Sequence, residues 1–168
     1  MDNITNENTL TASVATPTII PPKHIEGATF SMDIEWDKDG HPVIYAMGSG
    51  YTTSARDVLS VIETVVQMID AGPFDHVCSV YNVLGLSHMP MLARFINAGK
   101  IPNSPRTAHI IIGTQSQSLQ LAASLIAVLG SKRLRTMEAC KTQEEIQQAV
   151  RRWLALPDRT RAYTINDI

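Results

Sequence analysis

The sequence lacks a long apolar run, and it is poor in aromatic side chains and in cysteine. No apolar stretch approaches the roughly 20 residues that a membrane-spanning helix needs. The N-terminus has no basic region followed by an apolar core, so we predict neither a membrane span nor a signal peptide. Aromatic residues make up 5% of the chain and the net charge is −2, which argues against a nucleic-acid partner. A cytoplasmic location is the resulting expectation.

The two cysteines, Cys78 and Cys140, lie in apolar or mixed surroundings without CxxC spacing. We therefore expect two reduced, buried thiols rather than a disulfide or a redox motif. The five histidines show no metal-ligand spacing with another histidine, a cysteine or a carboxylate. These absences predict no metal, no cofactor and no catalytic residue, and hence a protein that is not an enzyme.

The sequence contains enough apolar residues for one domain of ordinary size. Of the 168 residues, 44% are hydrophobic, which suffices for a single core. Residues 1–26 are rich in Asn, Thr, Ser and Pro and predict a disordered tail, because they offer too little apolar surface to offset the entropy of ordering. Residues 27–156 are predicted to form an α/β domain, and residues 157–168 a polar C-terminal tail.

Strand and helix patterns alternate along this domain. Period-two alternation over 29–36 predicts a strand, Asp39-Gly40 a tight turn, and 42–47 the returning strand. A helix capped by Ser54 follows, with its apolar face at Val58, Leu59, Ile62, Val65, Val66 and Ile69. Apolar runs predict further strands at 77–84, 108–112 and 134–139, and helical patterns predict helices at 89–98, 116–129 and after Thr142. The order is ββαβαβαβα, a mixed, mostly parallel sheet of five strands with four helices.

Two stretches carry a family resemblance. The stretch from Ser79 to Pro90 resembles the third strand and following loop of the STAS-like domains, the anti-sigma-factor antagonists and their SpoIIAA-like relatives. Thr142-Gln143-Glu144-Glu145 with Trp153-Leu154 resembles the closing helix of that family. The resemblance covers about residues 27–156 and implies a SpoIIAA-like fold. Antagonists that switch by phosphorylation open the next helix with an Asp-Ser pair, whereas Pro90 and Met91 stand there here, so the resemblance implies the fold without the phosphorylatable serine.

Candidate ligand-binding residues lie in the loops after the strands, because ligands gather beyond the carboxyl ends of parallel strands. Each loop leads to a helix N-terminus, where unpaired N–H groups favour anions. The candidates are Tyr51, Thr52, Ser54, Ser87, His88, Met89, Met91, Thr114, Gln115 and Ser116. The alternative interpretation is that Ser54, Ser116 and Thr142 only cap helices.

Two motifs resemble nucleotide-binding or catalytic patterns without completing them, and one histidine lies in an apolar strand. Gly48-Ser49-Gly50 is followed by Thr53 where a dinucleotide fingerprint has its third glycine. Ser87 and His88 are neighbours in sequence, but a nucleophile and its base must converge in space with an orienting acid. His109 stands inside an apolar strand, and we expect it to be a satisfied core or sheet-face histidine.

Methionines and basic residues are unevenly distributed along the chain. One hypothesis is that four methionines cluster and that Met89 and Met91 line an apolar cleft with Tyr51 and Phe95; the alternative is core filling. These methionines are Met47, Met68, Met89 and Met91. Residues 131–162 hold eight Lys or Arg against four acidic residues, which indicates either a docking surface for an acidic partner or a solvated helix face.

These features predict a non-enzymatic regulatory or protein-interaction module. A homodimer is one form that the interaction would take, with the opening hairpin or the apolar second helix as the contact. The alternative function is a small-molecule carrier or sensor. It would hold a polar head in the strand-end loops and an apolar body in the methionine-rich cleft.

Overall fold

A computed structural model describes residues 20–51, 54–86, 104–117, 119–121 and 137–158. The strands in these ranges are β1 (Lys23–Glu26), β2 (Phe30–Trp36), β3 (Val43–Gly50), β4 (Val77–Leu86), β5 (Thr107–Gly113) and β6 (Met137–Cys140). Two helices have both ends described, α1 (Ala55–Asp70) and α2 (Gln143–Leu154), and Gln117 with residues 119–121 is also helical. None of the described helices is long and apolar enough to cross a membrane.

The six strands form one sheet in the order of the chain, from β1 to β6. The pairs β1–β2 and β2–β3 are antiparallel, and the pairs β3–β4, β4–β5 and β5–β6 are parallel. The predicted α/β class with a mixed, mostly parallel sheet is therefore confirmed. Among the four predicted helices, that at 89–98 lies outside the described residues and that at 116–129 is described only at its start.

The predicted number of five strands is wrong, because β1 adds a sixth at the edge of the sheet. The sequence analysis had counted these four residues as the end of the tail. Lys23 pairs with Ile34 and Glu26 with Ser31 across the β1–β2 ladder, and Ile25 packs against the core. Backbone hydrogen bonds to β2 thus order a segment that is too short and too polar to show an alternating pattern of its own.

The helix α1 covers one face of the sheet, which we call the α1 face. Its buried residues are Val58, Val61, Ile62, Val65, Met68 and Ile69, whereas Leu59 and Val66 of the predicted apolar face are only half-buried. The buried residues of α1 pack against the inward side chains of the strands, among them Met32, Ile34, Ile44, Ile110 and Ile112. The helix begins as predicted, because the Ser54 side chain accepts a hydrogen bond from the N–H of Asp57.

The helix α2 packs on the opposite face, which we call the α2 face. Its buried residues are Ile146, Ala149, Val150 and Trp153, and they meet Cys78, Val80, Ile111 and Cys140 of the sheet. The predicted capping box is present: the Thr142 hydroxyl accepts from the N–H of Glu145 at 3.2 Å. The carboxylate of Glu145 accepts in turn from the N–H of Lys141 at 2.6 Å. This exchange satisfies two backbone donors at the helix start.

Candidate functional site

The carboxyl ends of the four parallel strands lie at one edge of the sheet, as the sequence analysis assumed. Tyr51 and Ser54 follow β3, and residues 114–116 follow β5. Since β4 separates β3 from β5, these two groups of candidates stand about two strand spacings, roughly 10 Å, apart. The other candidates, Thr52, Ser87, His88, Met89 and Met91, lie outside the described residues.

The candidates after β3 are engaged in local structure. The N–H of Tyr51 donates to the carbonyl of Thr29 at 2.8 Å, and the Thr29 hydroxyl donates to the carbonyl of Tyr51 at 2.5 Å. Ser54 caps α1. These contacts fasten the end of β3 to β2 and to the first turn of α1, while the Tyr51 side chain stays 44% exposed.

Thr114 organises the loop after β5. Its N–H donates to the carbonyl of Cys140 at 2.8 Å, its hydroxyl accepts from the N–H of Ser116 at 3.1 Å, and its carbonyl accepts from the Gln120 side chain at 3.0 Å. Thr114 is buried, whereas Gln115 and Ser116 are exposed. Thr114 therefore joins β5, β6 and the start of the next helix.

A cleft of about 490 Å³ opens beside this loop. It is lined by Gln117, Gln120, Leu121, Ala139 and Lys141. Leu121 is 66% exposed, and Lys141 is the basic residue among those that line the cleft. Neither Gln117 nor Lys141 is among the candidates predicted from the sequence, because helical spacing alone does not place residues 117 and 121 in one cleft with Ala139 and Lys141.

The α2 face is only half covered among the described residues. The principal neighbours of α2 are β4, β5 and β6. On β1, β2 and β3, the residues that alternate with the buried ones face the same side of the sheet as α2, and no described helix covers them. We call this surface the open strip; it consists of His24, Glu26, Ser31, Asp33, Glu35, Tyr45, Met47 and Ser49.

Element sizes explain why one helix leaves so much of the sheet bare. Six strands spaced about 4.8 Å apart make a sheet roughly 29 Å wide. A helix with its side chains is about 10–12 Å across and covers two or three strands. The α2 face therefore has room for one more helix beside α2, above β1, β2 and β3.

The open strip is acidic and carries one histidine between two carboxylates. His24 Nδ1 lies 2.6 Å from Asp33 Oδ1 and its Nε2 lies 2.7 Å from Glu26 Oε2. The hydrogen bond to Asp33, followed by that to Glu26, raises the pKa of His24 above 6.5. Glu35 lies 3.6 Å from the ammonium of Lys38, an exposed pair of the kind that adds little to stability.

Apolar side chains lie where the open strip meets α2, and two of them, Tyr45 and Met47, belong to the strip itself. Tyr45, Leu84, Leu154 and Leu156 are partly buried and pack against the core beneath α2, and Met47 beside them is 37% exposed. We call these five residues the apolar shelf. Burial, followed by the negative charge of Asp37, raises the pKa of Tyr45 to about 12, so that its phenol is neutral at physiological pH and suits an apolar contact.

Two other groups of polar side chains have structural roles. In the β2–β3 turn, atoms of Asp37, Asp39 and His41 that could bind a metal ion lie within 4.8 Å of one another. The expectation that no histidine has metal-ligand spacing with a carboxylate is therefore wrong for His41. The Asp37 carboxylate accepts from the N–H groups of Asp39 and His41 at 3.1 and 3.3 Å and contacts the His41 ring at 2.7 Å. These contacts shape the turn.

The second group lies under α2. Buried His109 stands with its Nε2 3.8 Å from Glu138 Oε2, and Glu138 also pairs with Arg152 of α2. Burial acts to raise the pKa of Glu138, but His109 and Arg152 outweigh it and the pKa is lowered. His109 is thus the sheet-face histidine that the sequence predicted, and its neighbour across the β4–β5 ladder is Cys78.

Cys78 and His109 do not form a nucleophile and base. Cys78 is fully buried, and burial raises the pKa of its thiol well above 9.0. A catalytic thiolate needs a lowered pKa and access for its substrate. Cys140 is buried as well, and burial raises the pKa of its thiol to about 12. Both cysteines therefore behave as the small hydrophobes that the sequence predicted.

The described methionines do not form one cluster. Met68 is buried in the core beneath α1, whereas Met47 belongs to the opposite face of the sheet, because it alternates with Ala46 of the α1 core. Met89, Met91 and Phe95 lie outside the described residues. The hypothesis that Met47 and Met68 share one cleft is wrong, since a strand exposes alternate side chains on opposite faces.

No family model matches the sequence, and no curated protein matches it. Among solved structures, the chain is similar to an uncharacterised protein of the DUF3478 family from Shewanella loihica PV-4, described as having a SpoIIAA-like fold. The two chains are 9% identical with a TM-score of 0.43, and the match covers 79% of this chain and 98% of that one. The fold named for that protein is the one that the sequence resemblance implied.

Proposed function

We propose that this protein is a non-enzymatic protein-interaction module that receives a helix of its partner on the open strip and the apolar shelf. The observation that carries the proposal is the half-covered α2 face: α2 spans β4, β5 and β6, and Met47 stays exposed on β3. A docked helix would lie beside α2 and bury the shelf. This is the helix-in-groove mode of recognition.

The composition of this surface suits a protein interface. Its centre is apolar, formed by Tyr45, Met47, Leu84, Leu154 and Leu156. Its rim carries the carboxylates of Glu26, Asp33 and Glu35. An apolar centre with a charged rim is the usual anatomy of specific interfaces, in which the centre contributes affinity and the rim contributes orientation.

The edge of the sheet is a poorer docking site than its face. The edge strand β1 has four residues, carries Lys23 and Glu26, and follows Pro21-Pro22. Short length, charge and proline are the features by which natural proteins prevent strand addition at an edge. This contrast supports a partner that docks on the face rather than one that extends the sheet.

A non-enzymatic role is supported by the chemistry of the polar groups in the described residues. The thiols of Cys78 and Cys140 have raised pKa values and no access. His109 and Glu138 are held in the contact with Arg152 that anchors α2. These groups stabilise the fold.

A photo-reactive amino acid at position 47 tests the proposal. The full chain carries a benzophenone side chain in place of Met47, and a matched control carries it in place of Glu63, an exposed residue of α1. Cells are irradiated and the adducts are identified by mass spectrometry, including the partner residue that was labelled. The identified partner is then titrated against the purified chain and against Met47→Asp.

The proposal predicts a discrete adduct from position 47 and none from position 63, with the label on a helix of the partner. It also predicts that Met47→Asp weakens binding at least about tenfold, because it places a charge in a desolvated apolar contact. Equal labelling from both positions, or unchanged binding by Met47→Asp, would overturn the proposal.

The cleft beside Thr114 favours a second candidate function, a carrier of small anionic ligands. Lys141 would hold the anionic head and Leu121 would contact an apolar body. Native mass spectrometry of freshly purified protein tests it: a bound mass that is absent from Lys141→Ala and retained by Arg151→Ala supports the carrier. The same retained mass in both variants, or no bound mass, contradicts it.

A further inference from the structure

The half-covered face is complementary to itself. Among the described residues, one half carries the helix α2, and the other half carries strands that no described helix covers, with room for a helix. We infer that the helix received on the open strip is α2 of a second copy of this chain, in a symmetric dimer whose two-fold axis runs parallel to the strands. This inference rests on the proposed function and names its partner.

The direction of the axis follows from the position of α2 on the sheet. When two copies face each other across a two-fold axis parallel to the strands, the left and right halves of the sheet exchange places. Each α2 then lies over the β1–β3 half of the other copy. An axis across the strands would instead place α2 over α2 and leave both open strips uncovered. Only the first arrangement lets each copy complete the other, as an isologous interface requires.

The charges along α2 match this arrangement. α2 starts after the carboxyl end of β6 and contacts β6, β5 and β4, so its last turn, with Arg151 and Arg152, lies toward the amino ends of the parallel strands. β2 is antiparallel to β3 and ends on that same side with Glu35 and then Asp37. A rotation about an axis parallel to the strands leaves the amino ends of the parallel strands of both copies on the same side. This brings Arg151 of one copy over Glu35 of the other.

The side chains of Arg151 and Glu35 are available for this contact. Arg152 is paired with Glu138 of its own chain, whereas Arg151 is exposed and makes no ion pair with the residues that the structure describes. Among the described residues, the ion-pair partner of Glu35 is the exposed Lys38 at 3.6 Å. At the other end of the strip, Ser31 and Ser49 offer hydroxyl groups 3.1 Å apart to the first turn of the opposing helix, where Glu144 stands.

An exchange of charges tests this contact. The full chain is compared with Glu35→Lys, with Arg151→Glu and with the double variant Glu35→Lys/Arg151→Glu, by sedimentation equilibrium over a range of concentrations. Glu63→Lys on α1 is the control for a change of net charge far from the contact, and circular dichroism checks that every variant is folded. The three changed positions, 35, 63 and 151, are exposed or half-buried, so the fold tolerates them.

The inference predicts a dimer for the natural sequence and for Glu63→Lys. Each single reversal weakens it at least about tenfold, and the double variant recovers most of the loss because the ion pair is restored in reverse. The contact is overturned if the single variants leave the dimer unchanged. It is also overturned if they weaken the dimer and the double variant does not recover it. If the protein is a monomer and position 47 forms an adduct with another protein, the second copy is not the occupant but the proposed function stands. If the protein is a monomer and position 47 forms an adduct with residues 1–19, both the second copy and the proposed function are overturned. A monomer without any adduct overturns both.

Discussion

The side-chain amide of Asn82 donates a hydrogen bond of 2.7 Å to the side-chain oxygen of Gln143, 61 residues along the chain. Asn82 lies near the end of β4, and Gln143 is the first residue of α2. The bond fixes the start of α2 above β4 and leaves β1, β2 and most of β3 beyond its reach. This polar contact thus lies at the boundary between the covered and the open half of the α2 face and acts together with the apolar packing of α2.

Removing this contact should loosen the start of α2. We expect Asn82→Ala and Gln143→Ala each to lower the free energy of unfolding by about 1 kcal/mol, the usual worth of one hydrogen bond. Asn82 also accepts from the N–H of Leu84 at 3.3 Å, so its variant loses slightly more. A double-mutant cycle by urea denaturation isolates the coupling; Gln148→Ala, on the exposed side of α2, is the control. Additive single effects would contradict the role given to this bond.

Gly113 at the end of β5 lets α2 approach the sheet closely. A Cβ atom at this position would lie 2.3 Å from Cδ1 of Ile146 and 3.2 Å from Oδ1 of Asn82. We expect Gly113→Ala to lower the free energy of unfolding by about 1–3 kcal/mol, because an added methyl group overpacks a filled core.

The matched test adds Ile146→Val, which deletes the Cδ1 atom that the new methyl group would strike. Alone, this change costs about 0.5–1.5 kcal/mol. In combination with Gly113→Ala it should cost less than the sum of the two, as measured by urea denaturation. A Gly113→Ala variant as stable as the natural sequence would show that α2 stands further from β5.

Patterns with a regular period predicted most of the fold. Period-two alternation in β2 and the apolar runs of β4 and β5 each report many buried side chains at once, so they survive local exceptions. The capping residues Ser54 and Thr142 were predicted because a hydroxyl at a helix start satisfies a backbone donor wherever the helix lies. β1 was missed because its order comes from pairing with β2, which its own four residues do not encode.

His24 should make the β1–β2 contact dependent on pH. Its pKa is raised above 6.5 by the hydrogen bond to Asp33 and then by that to Glu26. A raised folded pKa means that the stabilisation is fully present below pH 6.5 and is lost as the pH rises through the folded value. An NMR titration of the natural chain should give a pKa above 6.5, and Asp33→Asn should return it toward 6.5. An unchanged value in Asp33→Asn would contradict the contact.

The cysteines should be inert in the folded protein. Both are buried, and burial raises the pKa of each thiol. We expect an aromatic disulfide reagent to modify neither at neutral pH until the chain unfolds, because the thiolate is the reactive form. Release of the coloured thiol should therefore follow the unfolding transition in urea. Rapid reaction of Cys78 in the native state would contradict the packing of α2 over β4.

The candidate surface was harder to predict than the fold. The sequence analysis looked for polar residues in strand-end loops, where Ser54 and Thr114 proved to hold local structure. The open strip combines residues of three strands, and the apolar shelf beside it adds Leu84 and Leu154, which are 70 residues apart in the chain and pack against the same core. Asp33 and Glu35 looked like the solvent side of an ordinary strand, and nothing local distinguishes a solvated strand face from one that receives a helix.

The most direct test of the open strip is the rate at which hydrogen peroxide oxidises Met47 in native protein diluted until sedimentation shows a monomer, followed by mass spectrometry of proteolytic peptides. Met32, Met68 and Met137 are at most 4% exposed and serve as internal references, whereas Met47 is 37% exposed. The account predicts that Met47 is oxidised well before all three. Oxidation of Met47 as slow as that of Met32 would contradict it, because the strip would then already be covered within one chain.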